Sequence, residues 1–437
     1  MLARALYSLL MWLLQPMVRA KLRRRAVHEP EYGRHVDERF GVYNQLDVPL
    51  VQGQFFVWVH AVSLGETRAA AELITELRTA LPGMRLLLTH GTATGRVQGQ
   101  ALLQPGDVQV WQPWDTVGAV KRFLDHFNPR VGLLVETEVW PNMVAACRAR
   151  QLPLCLVNAR MSEKSLRQSL RLSWLARPAY TGLRAVWAQA APDAARLQVL
   201  GAPVKGVLGN FKFDATPDAG HLALGQAWRK AHGQPVVVFA NTREGEELLF
   251  LQALKQKMAA APKNADEYAT EIIAIANVQW MLVPRHPQRF DAIAALCQEQ
   301  GFTVSRRSEW VDGPLPADIW LGDSMGEMAL YYALADVALL GGSFAPLGGH
   351  NLIEATACGC PVVMGPHTFN FAQAAELAVE AGAAFARPDM ARAVAKALAL
   401  VRSAPELQKA QAAGQALGLE HGGAARRTAL AVKELLG

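Results

Sequence analysis

The chain is short of cysteine, of uninterrupted apolar runs and of charge of one sign, and each shortage narrows the field. Only Cys147, Cys155, Cys297, Cys358 and Cys360 occur in 437 residues. Their number is odd and their neighbours are mostly apolar, which fits reduced, buried thiols of a cytosolic domain better than a disulfide framework. Cys358-Gly-Cys360 misses the C-x-x-C redox spacing. There is no zinc spacing, RNA-binding signature or long basic helix, so nucleic acid has no support. G-x-G-x-x-G, G-x-x-x-x-G-K-[ST] and H-E-x-x-H are all missing. His60, His90, His286 and His350 show no metal spacing, and neither a metal nor another cofactor is expected in the chemistry. No fixed-period repeat or low-complexity tail is present.

What remains is a chain that can build real cores, 51% hydrophobic and 19% charged. Its net charge of +6, with an isoelectric point near 9.1, suits a surface that meets phosphates or an anionic membrane. The length predicts two or three domains. Leu2 to Val18 is apolar but interrupted by Arg4, Gln15 and Pro16, and is followed by Arg19, Lys21, Arg23, Arg24 and Arg25. A spanning helix needs about 20 apolar residues. Residues 1–25 therefore read as an N-terminal anchor, interfacial or barely spanning, with a plain soluble helix as the alternative. The basic cluster would leave the globular part in the cytoplasm.

From Phe55 onward, short apolar runs alternate with helical stretches, which predicts parallel sheets covered on both faces. The pattern stalls over Asp214–Gly233 and then restarts. The expected architecture is α/β, with Rossmann-like domains over 26–213 and 214–437 and a site in a cleft facing both. Ala259–Asn277 is Ala-rich and polar, and reads as a surface insertion.

The most distinctive stretch is Leu339–Pro366, LLGGSFAPLGGHNLIEATACGCPVVMGP. It reads as strand, glycine-rich loop, helix, strand. Such a loop feeding a helix N-terminus is an anion site. Asn351 and Glu354, at i and i+3, would share one helix face, where a carboxylate can take sugar hydroxyls. The alternative is a tight structural turn capped by Asn351. In His60-Ala-Val-Ser-Leu-Gly-Glu66-Thr67, Glu66 sits where a strand passes into a helix. It is either a general base or an acid that merely complements the helix dipole. Glu136 and Glu138 follow the strand Val131–Val135, with the same two readings. Lys212, between Phe211 and Phe213, is either functional or a snorkelling surface lysine. Arg285 and His286 end a strand, and an arginine there makes a natural phosphate fork. Thr242–Glu247 turns into a helix, and Met325, Gly326 and Glu327 end another strand where they would frame a flat base.

Taken together, HAVSLGET, ETEVWPN, NARMS, GNFKFD, VPRHPQRF, GDSMGEM, GGSFAPLGGHNLIEA and VVMGPHTFNF resemble the 3-deoxy-D-manno-octulosonic acid (Kdo) transferase family of lipopolysaccharide synthesis. The resemblance implies a GT-B glycosyltransferase with an acceptor domain at 26–213 and a donor domain at 214–437. It implies CMP-Kdo as donor, and as acceptor the lipid A precursor at the cytoplasmic face of the bacterial inner membrane, whose anionic surface the anchor would meet. It also implies that Glu66 is the general base of an inverting transfer and that Glu136 and Lys212 assist the transition state. Arg285, His286, Met325, Gly326, Glu327, Asn351, Leu352, Ile353 and Glu354 would contact the CMP moiety. Arg243 stands where relatives carry histidine. A GT-B nucleotide-sugar epimerase and a non-catalytic lipid-binding protein are the alternatives.

Overall fold

Apolar runs without interruption make strands buried on both faces. In β1 (Phe55–His60) Val57, Trp58 and Val59 are fully buried. The computed structural model describes residues 2–43, 49–214, 216–259 and 277–437. Within them β1 is joined by β2 (Met84–His90), β3 (Val108–Trp111), β4 (Val131–Val135), β5 (Leu154–Ala159), β6 (Ala185–Ala188) and β7 (Val204–Val207). The seven form an all-parallel sheet in the order β3-β2-β1-β4-β5-β6-β7. A second parallel sheet holds β8 (Val236–Thr242), β9 (Gln279–Pro284), β10 (Val304–Arg306), β11 (Ile319–Leu321), β12 (Val337–Leu340), β13 (Val362–Met364) and β14 (Ala384–Ala386). Its order is β10-β11-β9-β8-β12-β13-β14. Each sheet extends from its first strand to one side, with β11 inserted between β9 and the edge strand β10 in the second, and then resumes on that first strand's other side. The switch points therefore lie at the carboxyl ends of β1 and β4 and of β8 and β12, where ligands bind in doubly wound sheets.

The chain divides into two compact units, Met1–Asp214 with His421–Gly437, and Ala215–Glu420. The expected break after 213 lies one residue from the observed one, but the second unit ends at Glu420 rather than 437, because residues 421–437 return to the first unit. Asp214 explains why. Its carboxylate accepts from the backbone N–H groups of Gly423, of Ala424 (3.1 Å) and of Ala425 (2.6 Å), and so caps the last helix, Ala424–Leu436. That helix buries Ala424, Ala425, Ala429 and Val432 in the core formed by β1, β2 and the helix Leu64–Ala80.

The expected anchor is likewise part of the first unit. It is two helices, Leu2–Leu13 and Gln15–Ala26, of 12 residues each. At about 1.5 Å per residue each is roughly 18 Å long, against the roughly 30 Å of a hydrocarbon core. No helix among the described residues is long and apolar enough to cross a membrane. The first helix is held by polar bonds. Tyr7 Oη donates to Asp115 Oδ2 (2.9 Å), Ser8 Oγ to Asn142 Oδ1 (2.9 Å) and Trp114 Nε1 to the Met11 carbonyl (3.0 Å). Leu6, Leu9, Leu10, Trp12 and Leu13 are left exposed, Trp12 at 60%.

Four of the five thiols are buried and all five are free. The Ala-rich insertion lies, apart from its ends, outside the described residues.

Candidate active site

At the first switch point Ser63 caps the helix Leu64–Ala80. Its Oγ accepts from Glu66 N–H (3.3 Å) and donates to Glu66 Oε1 (3.0 Å). Val62 N–H donates to Glu66 Oε2 (2.8 Å). Glu66 is therefore a capping acid in a Ser-x-x-Glu box. It also carries an unusual proton affinity. Burial, helped by the neighbouring Glu136 and Glu138 carboxylates, raises its pKa to about 7 against the lowering pull of Val62 N–H and the Ser63 hydroxyl. A carboxyl with that value is half ionised near neutrality, where a general base works best.

The loop beneath it is rigid. The Val62 carbonyl accepts from Gly91 N–H (3.2 Å), Thr92 N–H (3.0 Å) and Thr92 Oγ1 (2.9 Å). His90 Nδ1 donates to the Ala61 carbonyl at 2.8 Å, which fixes the ring's tautomer. Burial lowers the pKa of His60 to about 3 and of His90 to about 4, so both stay neutral supports.

Glu136 leaves β4 with φ of 65°, a left-handed conformation that costs a non-glycine residue energy. Its N–H donates to the Val157 carbonyl (3.0 Å) and its carbonyl accepts from Arg160 N–H (3.1 Å), so the next strand holds it there. Its Oε1 lies 4.0 Å from Lys212 Nζ. Lys212 sits on the short 3₁₀ turn Phe211–Asp214, pinned by the buried rings of Phe211 and Phe213. Asn158 Oδ1 accepts from Phe211 N–H (3.1 Å) and Asn210 Oδ1 from Lys212 N–H (3.0 Å). The lysine is thus aimed at a carboxylate rather than snorkelling. The fold brings Glu66, Glu136, Glu138 and Lys212 to one end of the first sheet.

At the second switch point the glycine-rich loop is built differently from the sequence expectation. Glu246, 1% exposed, takes its backbone donors. Glu246 Oε2 accepts from Gly342 N–H (2.7 Å) and Arg243 N–H (2.9 Å), and Oε1 from Phe344 N–H (3.1 Å) and Ala345 N–H (3.3 Å). Gly341 must lack a side chain, because a Cβ there would run into the Asn241 carbonyl. These N–H groups point at Glu246 and not at a phosphate. The helix is also short, Ile353–Ala357, with Asn351 ahead of it and its Oδ1 accepting from Ile353 N–H (3.2 Å). Asn351 and Glu354 therefore do not share a helix face. Sequence reasoning passed over Glu246, although a double acid opening a helix after a strand was the signal.

An anion at this end is left to side chains. Burial, followed by the nearby Arg285, Arg243 and His286 charges, lowers the His350 pKa to about 4. His286 is lowered by burial and by Arg243, Arg285 and Arg289. The His350 Nε2 is buried without a partner. This basic cluster brings Arg285, His286 and His350 together and adds Arg243. Glu354 lies close enough to the buried Tyr332 to help burial raise that phenol's pKa. Further along, Met325 is exposed and Gly326 has φ of 85°. Glu327 is engaged by Arg307 Nη2 (2.7 Å) and by the Ser324 hydroxyl. Leu352 and Ile353 are buried core residues rather than exposed ones.

Residues 34–215 match the family described as 3-Deoxy-D-manno-octulosonic-acid transferase (kdotransferase). A 3-deoxy-D-manno-octulosonic acid transferase of Bordetella pertussis is 47% identical over 390 residues, covering 87% of each chain. One from Haemophilus influenzae is 30% identical over 434 residues, covering 97% of this chain and 96% of its own. Among solved structures, a Rickettsia africae glycosyltransferase aligns with a TM-score of 0.56 at 11% identity over 88% of this chain and 98% of its own. A Neisseria meningitidis UDP-GlcNAc 2-epimerase aligns with the same score of 0.56 at 14% identity over 87% and 100%. The structural likenesses establish a GT-B-like fold that transferases and epimerases share, and the sequence relatives decide between them. The chain belongs to the 3-deoxy-D-manno-octulosonic acid transferase family and is a glycosyltransferase.

Proposed function

We propose that the protein moves Kdo from CMP-Kdo to the lipid A precursor of lipopolysaccharide with inversion and release of CMP. Glu66 carries this reading, a half-buried carboxyl with a pKa near 7 held in fixed orientation at a switch point. Its carboxylate takes the proton of an acceptor sugar hydroxyl as that oxygen bonds to the anomeric carbon. The bond from that carbon to the CMP phosphate breaks, and its electron pair leaves with CMP. Lys212, steadied by Glu136, offers a cation to the charge that develops. Arg243, Arg285, His286 and His350 receive the phosphate, Glu354 the ribose hydroxyls, and Met325 to Glu327 the base. The two guanidiniums supply the positive charge the leaving phosphate needs and the two neutral imidazoles supply hydrogen bonds, so the reading calls for no further cofactor.

The same reading places the protein on the cytoplasmic face of the bacterial inner membrane. A helix docked by polar bonds with its leucines outward has the inverse of a soluble helix's arrangement, and it matches an interfacial element. The basic run Arg19–Arg25 beside it fits an anionic leaflet.

The test is to mix the purified protein with tetraacylated lipid A precursor and CMP-Kdo generated in place, then weigh the lipid. Addition of whole Kdo units is expected. An unchanged lipid mass, with donor intact and lipid dispersed, would overturn the assignment.

A further inference from the structure

A cavity of about 510 Å³ opens in the first unit between the helix Leu2–Leu13, the helix Pro141–Ala149 and the helix Ser173–Thr181. That volume is within the range of small-ligand sites. Val144, Trp174, Leu175 and Pro178 make an apolar wall. Among the described residues Arg4 and Arg148 are its only charged lining, both exposed, and no carboxylate lines it. Exposed apolar side chains lie on the same elements, Leu6, Leu9 and Leu10 on the first helix and Leu172 just ahead of the helix that carries Trp174. Polar bonds fix the first helix in this pose, so the wall is preformed.

We infer that this cavity holds one acyl chain of a phosphorylated lipid, with Arg4 and Arg148 taking its phosphate. Charge complementarity selects the occupant. A purely apolar partner would leave two guanidiniums facing it, and a soluble anion would not use the apolar wall. A chain tipped by a phosphate uses both. The surrounding leucines and Trp174 would meet the bilayer from which such a chain rises. The inference deepens the proposed function by giving the lipid a seat, and rests on that reading only for the membrane.

Binding of dodecyl phosphate to the full chain, below its micelle concentration, tests this without donor or turnover. One molecule per chain is expected, with inorganic phosphate at least about tenfold weaker, a difference of about two buried methylenes. Ala145→Trp, which fills the cavity, is expected to weaken binding at least about tenfold by the same measure. Arg4→Gln and Arg148→Gln are expected to cost about fivefold each for dodecyl phosphate and nothing for dodecanol. Both positions are exposed, so these two variants keep the question open to measurement if Ala145→Trp does not fold. Equal affinity of the wild type and Ala145→Trp would overturn the inference. So would a wild-type dimer that Ala145→Trp dissociates, because a second copy would then be the occupant. Lipid binding without Kdo transfer would overturn only the proposed function, and transfer without dodecyl phosphate binding only this inference.

Discussion

The two units place a glutamate at the same topological position, and the two glutamates sit in opposite surroundings. Glu66 opens the helix after β1, the first strand of one sheet, and Glu246 opens the helix after β8, the first strand of the other. Glu246 is fully buried and accepts from four backbone N–H groups, which ties the loop Gly342–Ala345 to its own helix. Glu66 accepts from one backbone N–H and one hydroxyl, and sits among other carboxylates. Topology therefore assigns a place and not a role. A carboxylate saturated by donors is a brace. One left under-coordinated beside like charges is poised to take a proton.

The largest effect expected from this contrast is on turnover. Glu66→Gln keeps an oxygen for Val62 N–H but cannot take a proton, so kcat should fall by at least about two orders of magnitude, the usual worth of a general base. CMP binding should be unchanged by calorimetry. Near-normal turnover would make Glu66 a cap and nothing more.

Glu246→Gln should break the other half of the comparison. An amide nitrogen would face donors it cannot accept from, leaving buried N–H groups unpaired at about 1–3 kcal/mol each. A loss of about 3 kcal/mol, or roughly 6–12 °C in Tm, is expected by calorimetry. CMP binding should weaken as the loop loosens. An unchanged Tm would refute the brace.

The pH profile gives a third, smaller effect. On the proposed mechanism Glu66 acts in its ionised form, so kcat/KM should rise with pH through about 7 and level off above it. Glu136→Gln removes a like charge, so the midpoint should move to lower pH even as kcat falls. A midpoint that stays put would mean that the profile reports another group.

The sequence made the alternation of strands and helices, both strand-end acids and the glycine-rich loop legible, because those are local patterns. It could not show which donors the loop spends internally. Glu246 lies 96 residues from Gly342, and nothing local marks it as that loop's partner. Asp214 is likewise separated from the helix it caps by 209 residues, so the C-terminal helix read as part of the second half. The apolar N-terminal segment and the Pro16 that marks its break were visible, but its polar docking through Tyr7 and Ser8 depends on the distant Asp115 and Asn142. Lys212 had two readings until buried neighbours fixed its direction towards Glu136.

The smallest effect is on stability, and its sign tests whether Glu66 is poised. Glu66 has a folded pKa raised from 4.5 to about 7. Between those values the folded chain binds more protons than the unfolded one, so this group's contribution to stability falls as pH rises. Its contribution is fully present below about pH 4.5 and is lost by the time the folded carboxyl has ionised. Glu66→Gln removes that titration while keeping the cap oxygen. The variant should therefore lose less stability than the wild type between pH 5 and pH 8, when the two are compared by denaturant midpoints at each pH. A wild type that gains on the variant as pH rises would mean that the carboxylate is stabilised by folding, and the poised base would have to be sought elsewhere.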